Sequence, residues 1–121
     1  EGVVFSLYHI YETLGSPCGT RIKAVGGAAE IPLLNQLKAA LFDLPVEQLS
    51  ESDTSALGAV MTAAVGSGIF SSLTSAQQEL CRTSSITLPE PGYREWLLER
   101  YEIYRELYPA LKESMHRFKH I

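Results

Sequence analysis

The sequence predicts an α/β fold, rich in helix and carrying a small parallel sheet. Three observations point there. Residues 21–49 read as strand, glycine turn, helix and second strand; residues 1–14 repeat at helical spacing; and from Tyr93 apolar residues return by fours and threes to Phe118. Strand, helix, strand in so short a stretch is a βαβ unit. Its two strands should run parallel through a right-handed crossover, with helices over at least one sheet face.

Length and composition bound the rest. A chain of 121 residues is long enough for one domain with a real core and too short for two. Apolar residues make up 45%, which suits a globular chain. The net charge is −4 and no Lys/Arg block occurs, so nucleic acid and anionic membrane are poor partners. Cys18 and Cys81 lie far apart without metal-ligand spacing, and two free thiols in a reducing cytosol are expected. No signal peptide is expected, because the apolar stretch from Val3 to Leu7 is short and follows an acid. The apolar stretch from Ala56 to Val65 falls short of the roughly 18 residues of a membrane span. A soluble, cytoplasmic protein is the expectation. The chain starts at Glu1 without Met, as processed or truncated chains do.

In order along the chain, Glu1 to Leu14 is an amphipathic helix with a stripe of Val3, Leu7, Ile10 and Leu14, widened by Val4 and Tyr11. Gly15 caps it and Pro17 forbids continuation. His9 lies beside the stripe as a surface histidine. A short strand at Ile22–Val25 then meets Gly26, Gly27, Ala28 and Ala29, and Pro32 opens a helix carrying Leu33, Leu34, Leu37 and Leu41. The paired glycines admit two readings. They make a tight strand-to-helix connection, or they bare the backbone so that a ligand can lie against it at the helix start. Neither GxGxxG nor GxxxxGK[ST] is present.

Leu44 to Leu49 forms the second strand, with Pro45 at its start or on an edge. Ser52 or Asp53 caps the next helix, whose small residues Ala56, Ala59, Val60, Ala63, Ala64 and Ser67 imply burial against the sheet or a neighbour. Gly66 and Gly68 end it; Ser75 caps a short helix to about Cys81; Thr83 to Gly92 reads as an extended loop. In the last helix Leu97, Tyr101, Tyr104, Tyr108, Leu111, Met115 and Phe118 share one face. A coiled-coil homodimer would want Leu or Ile there. Three tyrosines suit a helix lying on its own domain, hydroxyls at the rim. Pro109 should kink or restart this helix. Lys112, Arg117, Lys119 and His120 suit its negative end. Glu99 and Glu102 stand among Arg94, Arg100 and Arg105 at salt-bridge spacing, and His9, His116 and His120 show no metal pattern.

Taken together, Val25-Gly26-Gly27-Ala28 with Pro32-Leu33, then Leu44-Pro45-Val46, then Ser55-Ala56-Leu57-Gly58-Ala59 resemble the C-terminal end of the FGGY carbohydrate kinases. The opening Glu1 to Leu7 and the run Tyr101 to Leu111 resemble the same family, nearest its xylulokinase branch. The resemblance implies that residues 1–121 are the C-terminal part of the second, ATP-binding domain, of actin-like ATPase (ribonuclease H-like) fold. It implies ATP and Mg as cofactors, a nucleotide and a sugar as partners, and the catalytic aspartate, sugar site and phosphate-contacting segments upstream of this region. No catalytic residue is then expected here, and the isolated segment should be inactive. Implied nucleotide contacts are the backbone of Gly26, Gly27 and Ala28, Ile31 beside the base, and Asn35 one turn on. Many relatives carry a third glycine at Ala28 and a polar residue at Ile31. Losing that hydrogen bond costs roughly 0.5–1.5 kcal/mol. The alternative is a stand-alone α/β interaction module that pairs along the seam of its last helix.

Overall fold

The computed structural model describes residues 1–16 and 19–118. Helix α1 (Gly2–Thr13) is followed by β1 (Ile22–Ala24), a single 3-10 turn (Gly27–Glu30), α2 (Pro32–Phe42) and β2 (Val46–Leu49). Then come α3 (Thr54–Gly66), α4 (Leu73–Leu80), β3 (Thr83–Thr87) and the long α5 (Tyr93–Phe118). Pro17, Cys18, Lys119 and His120, each with an expected role above, lie outside the described residues, as does the side chain of Phe118.

The sheet runs β1-β2-β3. β1 and β2 are parallel, Ile22 opposite Val46 and Ala24 opposite Gln48, as the βαβ pattern requires. The sheet as a whole is mixed, because β3 joins β2 antiparallel with Thr87 opposite Val46. This corrects the extended loop expected over 83–92. Thr83-Ser84-Ser85-Ile86-Thr87 has no apolar alternation, since it is a largely exposed edge strand. Backbone pairing holds it, helped by Ser84 Oγ donating to the Gln48 carbonyl (3.2 Å) and Ser85 Oγ to Gln48 Oε1 (3.2 Å).

Two clusters hold the chain. In the larger, Val4, Phe5 and Tyr8 of α1 meet Leu37, Ala40 and Leu41 of α2 and Leu97 and Tyr101 of α5. Tyr8 stands edge-on to both Tyr101 (centroids 5.0 Å apart) and Phe42 (5.1 Å), the arrangement that ring quadrupoles favour. The buried face of α1 is therefore not the expected stripe: Val3, Ile10 and Leu14 remain more than half exposed. This helix is apolar around most of its girth, and the face with the aromatic volume is the one that packs. The smaller cluster joins Ala24, Ala29, Ala39 and Val46 with Ile22. Alanines on both sides bring α2 close against the sheet, and this contact fixes the turn between β1 and α2.

Helices α3 and α4 pack chiefly on each other. Asp53 caps α3, its carboxylate accepting from the Ala56 N–H at 2.9 Å. Only Ala64 of that helix is buried, so the small-residue stripe faces outward along most of its length. On α4 the cap is Ser72, one turn before Ser75; the two hydroxyls exchange bonds with each other's N–H in a capping box. In α5, Leu97 and Tyr101 are buried and Tyr104 half-buried against α1 and α2. Tyr108, Leu111 and Met115 stay at least half exposed, so intramolecular packing covers the first half of the seam only. Pro109 sits inside α5 without ending it.

Candidate functional site

The site is built on the exit from β1. Gly26 has φ 76° and ψ 176°, a backbone region that glycine alone occupies without strain. The 3-10 turn starts at Gly27 and closes with the Ala29 N–H donating to the Gly26 carbonyl at 2.9 Å. Ile31 is extended (φ −96°, ψ 104°), as the residue before a proline must be, and it separates this turn from α2. The two glycines thus stand outside any continuous helix. A Cβ built on either would meet no atom within 4 Å. Gly27 is exposed and Gly26 half-buried, and the space beside each α-carbon is open.

What supports the turn lies behind it. Ala29 (3% exposed) packs into the smaller cluster, and Asn35 (2% exposed) donates from Nδ2 to the Ala29 carbonyl at 2.7 Å. Lys38 Nζ donates to Asn35 Oδ1 at 3.5 Å, and partial burial pulls the Lys38 pKa below its usual value. Of the five residues named from the sequence, Gly26 and Gly27 form the bare ledge, and Ala28 and Ile31 are exposed along it. Asn35 is not on the surface at all. Its Nδ2 donates to the backbone of the turn, behind the exposed face of the ledge.

A narrow cleft adjoins the ledge, lined by Gly26, Glu30, Gln48, Ser50, Glu51 and Ser52 among others. It lies at the carboxyl ends of the parallel pair β1 and β2, where open α/β sheets receive ligands. In the sequence, segment 50–52 shows only as the start of a helix, although a second signal existed: a βαβ unit sets the loops after its two strands side by side. The rim is rich in acceptors, since Glu30 and Glu51 both reach it and Asp53 follows directly. Glu51 Oε1 accepts from the Asp53 N–H at 3.1 Å. Such a rim favours hydroxyl and amine donors and repels phosphate.

Other ionisable groups have structural partners. Arg21 pairs with the largely buried Glu47 at 2.6 Å, tying the lead-in of β1 to β2. The Tyr101 hydroxyl donates to Glu12 Oε2 at 2.6 Å and lies 3.0 Å from His9 Nδ1, clasping α1 to α5. Among the described residues no three of His, Cys, Asp and Glu form a group able to hold a metal ion. No described helix is long and apolar enough to cross a membrane.

Comparison with known proteins agrees with this architecture. Residues 1–67 match the FGGY family of carbohydrate kinases, C-terminal domain. The chain is 28% identical to the xylulose kinase of Bacillus subtilis over 116 residues, 93% of this chain and 23% of that protein. It is 29% identical to the xylulose kinase of Lactococcus lactis over 121 residues, 97% of this chain and 24% of that protein. Among solved structures, ligand-bound xylulose kinase from Lactobacillus acidophilus superposes with TM-score 0.83 at 24% identity, over 97% of this chain and 24% of that one. The chain therefore spans about a quarter of the length of the relatives it matches. It shares the fold of the FGGY sugar kinases, an actin-like ATPase fold, here as a helix-rich segment with a small mixed sheet. By its family match over more than half its length, the chain belongs to the FGGY family of carbohydrate kinases.

Proposed function

We propose that this chain forms the adenosine-side wall of an ATP-dependent sugar kinase. In this reading it is the C-terminal part of the second, ATP-binding domain of a larger enzyme that passes the γ-phosphate of ATP to a pentulose-type sugar. The observation that carries the reading is the open Gly26–Gly27 backbone at the carboxyl end of β1, in a chain of this family. A purine lies flat on the ledge, with the exposed Ile31 against its face and the ribose hydroxyls turned to Glu30 or Glu51. The carboxylates at the rim turn the phosphates away, toward the rest of the enzyme.

Among the described residues no three metal-ligating side chains come together, and the Mg²⁺ that such a reaction uses is held mainly outside this segment. Metal, phosphates, sugar and the base for the attacking hydroxyl are then the work of the remaining polypeptide. The segment alone is inactive. Xylulose is the sugar favoured by the kinases to which the chain is 28% and 29% identical, and a cytoplasmic location goes with that metabolism.

Calorimetric titration with ADP tests the ledge. Gly27 needs no positive φ and has free space at its Cβ, so Gly27→Ala is neutral for folding but places a methyl where the base lies. The expected loss in ADP affinity is about tenfold. Equal affinity for both proteins would remove the base from this ledge.

A second reading, a stand-alone interaction module, draws on one observation. Tyr104, Leu107, Tyr108, Leu111 and Met115 line an open groove with His9 along the outer half of α5. Sedimentation equilibrium decides: a dimer that dissociates on Tyr104→Asp with Tyr108→Asp favours that module.

A further inference from the structure

We infer that Asn35 is the positioning residue that sets the shape of the ledge. The need for it is written into the backbone. Ala29 is in the last turn of the 3-10 helix, and its carbonyl would ordinarily accept from the N–H three residues on. That residue is Pro32, which has no N–H. Pro32 also holds Ile31 extended, so the chain cannot close the turn by running on as helix.

Ala29 is only 3% exposed, and a buried carbonyl without a partner is costly. Asn35, one turn into α2, supplies the donor from its side chain at 2.7 Å. Its oxygen lies 3.5 Å from Lys38 Nζ. Asn35 is itself 2% exposed. One side chain thus ties the end of the Gly26–Glu30 turn to a rigid helix, and it does so without reaching the surface where a ligand would lie. Its consequence for nucleotide binding rests on the reading of the ledge proposed above; its hold on the turn does not.

Asn35→Leu and Asn35→Asp both keep the approximate volume and remove the donor. Amide hydrogen exchange, followed by NMR on the free protein, reads the turn directly. Exchange at Gly27 to Glu30 should quicken at least tenfold in both variants, while amides of α1 and the first half of α5 keep wild-type protection. Faster exchange throughout the chain, or none at the turn, overturns the inference. In calorimetric titrations with ADP the variants should bind about fivefold more weakly at unchanged far-UV circular dichroism. If the wild type itself shows no ADP binding while the turn still loosens, the nucleotide reading falls and the positioning role stands. Wild-type affinity in variants whose turn has loosened would show that the ledge needs no such support. Lys38→Met, which keeps the Asn35 donor, should leave exchange at the turn within about twofold of wild type.

Discussion

Gly26 and Gly27 adjoin in sequence, yet the physics asks different things of them. At Gly26 the requirement is conformational: φ 76° with ψ 176° is a region where any Cβ brings strain. Gly26→Ala should therefore destabilise the fold by about 1–3 kcal/mol in urea unfolding, although nothing lies within 4 Å of the added methyl. At Gly27 the fold makes no such demand, since φ is not positive and a Cβ there has open space. Ile31 carries a related consequence. It stands 48% exposed and offers the base no hydrogen bond, so Ile31→Asn should strengthen ADP binding by roughly 0.5–1.5 kcal/mol in calorimetry. The glycine turn between β1 and α2 was legible in the sequence because a break in polarity and a proline frame it. Asn35 has a role that its own position in the pattern does not announce: Pro32 leaves the Ala29 carbonyl without a backbone donor, and the Asn35 side chain supplies one.

Among the elements, α1, α2 and α5 form the part whose stability is easiest to predict. Leu41 is fully buried among them, and Leu41→Ala should cost about 2–5 kcal/mol. Tyr101 joins α1 to α5 through its hydroxyl. Burial first, and then its bond to Glu12, push the phenol well above the usual tyrosine pKa. The native state therefore favours the protonated form, while the unfolded chain ionises near pH 10. The stability due to this group is complete below about pH 10 and is lost as pH rises further toward the native value. Tyr101→Phe should cost about 1–3 kcal/mol at neutral pH and flatten that alkaline loss, as thermal melts between pH 8 and 11 would read. Helix boundaries were legible here because periodicity and caps mark them. The buried face of α1 was not, since both its faces are apolar and only the partners choose. β3 was hidden for the opposite reason: its pairing is by backbone, and its side chains carry no pattern.

For the whole molecule, the surface tells as much as the core. Val3, Ile10 and Leu14 on α1, Ile69 before α4, and Tyr108, Leu111 and Met115 on α5 are all at least half exposed. In a chain that spans about a quarter of its relatives, we propose that the remaining polypeptide covers them. The family and the strand–turn–helix core could be read from an ordered set of short motifs. The rim of the candidate site could not, because segments 26–30 and 48–52 become neighbours only through the parallel pairing of β1 and β2. The most direct measurement is an ADP titration of the isotopically labelled chain, followed by amide shifts. A progressive, saturable shift of the Gly26, Gly27 and Ala28 amides, with α3 and the outer half of α5 unmoved, is the predicted result. If those three amides stay still at millimolar ADP while residues elsewhere respond, the adenosine ledge is not where it is placed here.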